Sequence, residues 1–242
     1  MDRPSVRRAR RALARGTAAD VSGPGACSGP RVHRAASVSL LSQEPRPSGG
    51  PGSISPSGAD VSDWDEYARR TAAPPSPAFS WTPHPGHGPG LELLELDAGS
   101  AVLELGCGRG DRLARCAAIG ARPAVGIDVS AVQVGLARAA WGSTIDVHRA
   151  DAVAWLDTHT AQYSAMFSVF GAHWFTDPAR LLPAARQRLC SGGVLVLAHL
   201  RPSASPTTRG GRGVQRLVLR WEGEAHRWAE ALDAAGFGRV SA

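Results

Sequence analysis

The residues at 101–110, Ala-Val-Leu-Glu-Leu-Gly-Cys-Gly-Arg-Gly, constrain this chain more than any other stretch. An apolar run of β type passes through Glu104 and ends in glycines at 106, 108 and 110. There the backbone can bend sharply and lie against a ligand with no Cβ atoms in between. A glycine turn between a strand and a helix is a nucleotide-site loop. The dinucleotide fingerprint Gly-x-Gly-x-x-Gly needs a small residue at its sixth position so that helix and strand pack closely. That position is Asp111, so the NAD template fails by one residue. All 27 basic residues are Arg, so the Tyr-x-x-x-Lys pair of NAD(P) oxidoreductases is also missing.

From residue 101 onward, β-rich runs alternate with helical patterns, as expected of a parallel sheet with crossover helices. Strands are predicted at 101–105, 123–128, 144–148, 164–170 and 194–199. Helices are predicted at about 111–119, at 131–140 behind the N-cap Ser130, and from Asp177-Pro178 up to Ser191-Gly192-Gly193. Apolar residues at 214, 217, 218, 221, 225, 228 and 232 recur at helical spacing, with a break at Gly223. A last strand begins in the closing Gly-Phe-Gly-Arg-Val-Ser-Ala.

The flanks are different. Residues 1–60 are rich in Arg, Pro, Ser and Gly and poor in large apolar side chains, and are expected to be a disordered extension. They hold nine Arg against four acids, which leaves 18 Arg against 17 acids in residues 61–242. The net charge of +6 therefore belongs mostly to the extension. A basic surface for nucleic acid would have to come from Arg201, Arg209, Arg212, Arg216 and Arg220, or from the extension itself. Cys27, Cys107, Cys116 and Cys190 form no Cys-x-x-Cys pair and have no His at metal-ligand spacing, so no metal is expected. With no leader pattern and no apolar run of about 18 residues, the expected setting is cytoplasmic, as a monomer or homodimer with no membrane association.

Written as Glu-x-Gly-x-Gly-x-Gly, the segment Glu104–Gly110 resembles motif I of the class I S-adenosylmethionine (SAM) dependent methyltransferases. The resemblance extends to about residue 200. "FGAHWFTDP" at 170–178 is similar to an element of the bacterial UbiE-like, or methyltransferase type 11, enzymes. It implies a Rossmann-like, doubly wound α/β fold with a mostly parallel sheet. Residues 101–242 would be the SAM-binding core and 61–100 a helical cap or lid. Such sheets close with a C-terminal β-hairpin, which is incomplete here, so an unpaired sheet edge is expected.

The resemblance also implies a set of cofactor contacts. Gly106, Cys107, Gly108 and Gly110 would present backbone N–H groups to the methionine carboxylate, beside a helix N-terminus that favours an anion. Glu104 would bind the methionine ammonium or orient the loop. Asp128, 22 residues after Gly106, would accept the ribose hydroxyls, with Val129 beside it. Asp151 and the Ala152 amide would meet the adenine, unless Asp151 is a simple helix N-cap. Phe170 would border the methionine end.

Methyl transfer from an activated sulfonium needs alignment, water exclusion and, for some nucleophiles, a general base. His173 is the candidate base, with a structural role as its alternative; His84 and His87 are weaker candidates. The tetrapeptide of nucleic-acid amino-methyltransferases, (Asp/Asn)-Pro-Pro-aromatic, is replaced by Ser168-Val169-Phe170-Gly171, and the Pro-Cys of cytosine-C5 enzymes is absent. The expected acceptor is therefore an O, N or C nucleophile of a small molecule. The rivals are a degenerate SAM-binding protein without turnover, and an RNA- or protein-directed enzyme that uses the Arg-rich segments.

Overall fold

The computed structural model describes residues 33–40, 61–71, 73–84, 86–200, 221 and 223–241. The chain begins with β1 (Arg34–Leu40), α1 (Val61–Arg70) and a 3-10 turn (Leu91–Leu94). Alternating units follow: β2 (Val102–Leu105), α2 (Asp111–Ala118), β3 (Ala124–Asp128), α3 (Ala131–Trp141), β4 (Asp146–Arg149), α4 (Ala152–Thr158) and β5 (Tyr163–Val169). The short α5 (Ala172–Phe175), α6 (Pro178–Gln187), β6 (Leu189–Leu200), α7 (Ala225–Ala234) and β7 (Arg239–Ser241) complete it.

Among the described residues seven strands form one sheet in the order β4-β3-β2-β5-β6-β1-β7, and every pairing there is parallel. From β2 the chain winds outward to β4, then returns past β2 to β5. The reversal opens a crevice at the carboxyl ends of β2 and β5, where sheets of this kind bind ligands. Helices cover both faces. Leu113, Cys116 and Ala117 of α2 and Val134 and Ala137 of α3 pack on one face with Trp81 and Leu94. Leu156, Leu181, Leu182, Trp228, Leu232 and Phe237 pack on the other. Burial from both sides explains why the central strands read as continuous apolar runs rather than as alternation.

The predicted core elements are present, within a few residues of the expected bounds. One boundary differs: Ser191-Gly192-Gly193 lies inside β6 rather than at a helix end. Tyr163 pairs with Leu189 and Ala165 with Val194, so β6 carries extra residues at this point. Gly192, at φ 78°, absorbs the irregularity.

A second difference concerns the extension. Within the 60 residues expected to be disordered, Arg34–Leu40 is a strand. It lies between β6 and β7, with Arg34 opposite both Val194 and Arg239. Strand β6 is thus paired on both sides, the sheet ends at β7, and no antiparallel strand occurs among the described residues. Composition conceals this strand because it is short and set among Arg, Ser, Pro and Gly; Ala35 is its one buried apolar residue among those whose side chains are described. Its ladder of backbone hydrogen bonds supplies what its side chains do not, since the inner edge of β6 needs partners for its N–H and C=O groups. Arg34 also pairs with Glu95. The expected helical run at 214–220 and the five clustered Arg residues at 201–220 lie outside the described residues.

The aromatic pair Phe79 and Trp81 belongs to the core. Trp81 is fully buried, donates Nε1–H to the Gly90 carbonyl at 2.7 Å and meets Phe79 and Phe167 edge-on. Trp81→Ala is expected to destabilise the fold by about 3–5 kcal/mol, the usual cost of emptying a large aromatic site. Thermal unfolding checks this; a shift of only a degree or two in Tm would show that the segment is not part of the core.

Candidate functional site

The glycine turn sits at the carboxyl end of β2. The N–H groups of Gly106 and Cys107 both donate to the Ile127 carbonyl at 2.9 Å, which ties the turn to β3. Its glycines do different work. A Cβ on Gly106 would lie 2.5 Å from the backbone nitrogen of Ala172, so this position lets the start of α5 approach. A Cβ on Gly108 would meet nothing nearer than 3.9 Å, and that open side is where a ligand can lie against the backbone. Gly110 is the N-cap of α2 and brings no side-chain cap, and within the first turn the Leu113 N–H is given to Glu104. Cys107 is buried and turned toward Gly126, where a Cβ would come 2.8 Å from its Sγ. Burial pushes its thiol pKa well up.

Glu104 is the outstanding electrostatic feature. Strand alternation sets it on the same face as Val102, toward α2. It is 1 % exposed, and its Oε2 has no hydrogen-bond partner. Burial raises its pKa to about 8, partly offset by the charge of Arg112. A buried carboxyl with an unpartnered oxygen has an acceptor position left for a donor or a cation.

Asp128 ends β3 with both carboxylate oxygens engaged. Oδ2 accepts Gly108 N–H and Oδ1 accepts Ser130 N–H, each at 2.9 Å. Burial raises its pKa, against the pull of these two N–H groups. Each oxygen keeps a further lone pair for a hydroxyl. Val129 is half-buried, and its carbonyl accepts from Arg149 Nε at 3.2 Å. Asp151 is exposed and caps α4, its Oδ1 accepting Ala154 N–H at 3.0 Å, while Ala152 is buried in the first turn of that helix. The N-cap geometry is therefore present at Asp151. Phe170 follows β5 with φ 52°, a strained value for a bulky residue. Its ring lies 5.3 Å from that of Trp174.

His173 is not at the substrate side. It is 0 % exposed, and its Nδ1 lies 2.9 Å from Ser168 Oγ, whose hydroxyl donates to the Leu105 carbonyl at 2.7 Å. Nδ1–H is thus the donor to Ser168. Burial, with His199 nearby, lowers its pKa to about 3. The short helix α5 turns this ring into the core between the sheet and Trp228, and so removes it from the base role. His84 and His87 lie near each other in the stretch between α1 and the 3-10 turn, with ring centroids 6.1 Å apart.

The structure adds a residue that the sequence left unassigned. Asp65 of α1 accepts the hydroxyl of Ser130 at 2.5 Å and Val132 N–H at 3.2 Å, one turn of chain beyond Asp128. An acid on an exposed helix gives no sequence signal of such a contact. A cavity of about 600 Å³ lies elsewhere, between α6 and α7, against Pro178, Pro183, Trp221 and Trp228. No group of three or more metal-binding side chains occurs among the described residues, and no helix there is long and apolar enough to cross a membrane.

Residues 102–193 match the family described as a methyltransferase domain. Among solved structures, the chain is similar to a SAM-dependent methyltransferase from Thiobacillus denitrificans in complex with S-adenosyl-L-homocysteine (SAH), at 22 % identity and TM-score 0.39, covering 44 % of each chain. A SAM-dependent methyltransferase from Mesorhizobium loti shares 24 % identity at TM-score 0.47, over 57 % of this chain and 74 % of that one. The complex of the Haloferax volcanii Trm112 methyltransferase activator with its methyltransferase gives 19 % identity and TM-score 0.49, over 60 % and 65 %. The protein thus spans less than half the length of the first of these relatives. No curated protein matches its sequence. Residues 102–193, which hold the strand, the glycine turn, the helix and the strand-end acids, are thus similar to a methyltransferase domain.

Proposed function

We propose that the protein is a SAM-dependent methyltransferase whose acceptor is a small molecule. The observation that supports the cofactor assignment is Glu104: a buried carboxyl with an unpartnered oxygen, on the strand that leads into the glycine turn. The residues fit the group. Glu104 pairs with the methionine ammonium, and the N-terminus of α2 faces the carboxylate. The N–H groups of Gly106, Cys107, Gly108 and Gly110 are already donated to Ile127 O, Asp128 Oδ2 and Cys107 O, and shape the turn rather than bind the ligand. Asp128 accepts from the ribose hydroxyls while its own position is fixed by Gly108 and Ser130. Asp151 and the Ala152 amide stand at the adenine end, and Phe170 at the methionine end. When bound, SAM supplies an electrophilic sulfonium methyl group, so the protein needs only to align an acceptor and exclude water.

Withdrawn into the core, His173 takes no proton from an acceptor in the crevice. The acceptor is then a nucleophile that needs little help, such as an amine, an enolisable carbon or an acid already ionised at working pH. The small-molecule reading is supported by Ser168–Gly171, which lacks the polar tetrapeptide that grips a flipped base, and by the near-neutral charge of residues 61–242.

The test is calorimetric titration of the full chain with SAM and SAH, followed by a screen of small acceptors for SAH release. Saturable micromolar binding is expected. A folded sample that binds neither compound overturns the cofactor assignment. Binding without turnover on any acceptor class favours the non-catalytic reading.

A further inference from the structure

α1 reaches both walls of the crevice. On one side Asp65 Oδ1 accepts Ser130 Oγ–H at 2.5 Å and Val132 N–H at 3.2 Å. Ser130 is fully buried and is the N-cap of α3, its Oγ accepting Gln133 N–H at 3.1 Å. Its own N–H goes to Asp128 Oδ1, and Asp128 Oδ2 takes Gly108 N–H. A continuous set of hydrogen bonds therefore runs from α1 through Ser130 and Asp128 into the glycine turn. These bonds hold the side chains of the set in one arrangement.

On the other side Trp64, the neighbour of Asp65, meets Phe175 edge-on with ring centroids 4.4 Å apart. Phe175 ends α5, whose first residue is the one that Gly106 admits so closely. The chain that leaves α1 is also fastened to the turn. Pro74 O accepts from Arg109 at 3.0 Å, Ser76 N–H donates to Asp111 at 3.2 Å, and Ser80 O accepts from Arg112 Nε at 2.9 Å. The helix is thus held at the ribose wall by a carboxylate and at the methionine wall by an aromatic contact.

We propose that Asp65 is a positioning residue for the cofactor: through Ser130 it holds Asp128 and the loop 128–132 in their binding arrangement, and it fixes α1 across the crevice as a cap. This rests on the cofactor reading given above. Asp65 does not touch the ribose itself; it orders the residue that does. Cap closure and order in the ribose loop are then one event, since the same carboxylate belongs to both. The occupied site in turn gives α1 a floor on which to stay.

The test uses the full chain and SAH as the probe. Calorimetry is run on wild type, Asp65→Ala and Asp65→Asn, with hydrogen exchange of residues 61–70 measured with and without SAH. Asp65→Ala is expected to weaken SAH binding at least tenfold with Tm little changed. Asp65→Asn, whose amide oxygen still accepts from Ser130 and Val132, should stay within about threefold of wild type. SAH should slow exchange in α1 of wild type and of Asp65→Asn, but not of Asp65→Ala.

A folded Asp65→Ala variant that binds SAH as wild type does overturns the proposal. So does wild-type α1 whose exchange SAH leaves unchanged, and this measurement decides the matter if Asp65→Ala fails to fold. Folded wild type that binds no SAH removes the cofactor reading and this proposal together, a result distinct from either of the others.

Discussion

Glu104→Gln is expected to weaken SAM and SAH binding by about a hundredfold or more while leaving the ligand-free protein folded. The substitution keeps the shape of a fully buried side chain and removes the charge that a bound ammonium needs. Removing one partner of a buried ion pair costs about 3–5 kcal/mol, which is the source of the hundredfold estimate. Calorimetry reads it directly. Equal affinity in the variant would show that Glu104 orients the loop and does not pair with the ligand.

The same residue sets a pH dependence with a definite sign. Its folded pKa, about 8, lies above its ordinary value of 4.5 because burial disfavours the charge. Between these two values the unfolded chain has lost the proton and the folded chain still holds it. Stability contributed by this group is therefore present in full below pH 4.5 and declines as pH rises toward 8. The ligand-free protein should lose Tm across that window, and Glu104→Gln should flatten the decline. Binding of a cation does the reverse: it draws Glu104 into its ionised form. SAH binding at pH 7 should then release close to one proton, read from the dependence of the binding enthalpy on buffer ionisation. Affinity should rise with pH up to about 8. A pH-independent affinity between 6 and 8 would refute this linkage.

Asp128→Ala should have the second largest effect, and on two quantities at once. SAH affinity should fall by about a hundredfold, because two hydroxyl contacts to a charged acceptor are lost. Stability without ligand should also fall, by about 1–3 kcal/mol, because Gly108 N–H and Ser130 N–H lose their acceptor. Asp128→Asn retains one acceptor oxygen and should lie between. The paired measurement separates the roles: a variant that loses stability but keeps affinity would make Asp128 a turn-forming residue only.

What the sequence by itself determined was the alternating core and the order of its chemistry. Strand propensity, glycine spacing and caps such as Ser130 and Asp177 are local, and local chemistry places an element wherever the rest of the chain lies. That is why β2 through β5, and α6, stood close to where expected, and why Glu104, the glycines and Asp128 were legible as one end of a sheet.

Three matters were decided only by tertiary structure. The strand at Arg34–Leu40 is held by backbone pairing with β6 and β7, and backbone groups are the same in every sequence, so composition carries no trace of it. His173 is a polar residue in a loop-like motif, yet the direction of the one-turn helix α5 commits it to the core and holds its imidazole neutral near pH 7. Asp65 reads as a solvated acid on a helix surface, and only the docking of α1 on α3 brings it to Ser130. In each case the deciding interaction joins residues distant in the chain, and the energy of such a contact depends on a geometry that no local pattern specifies.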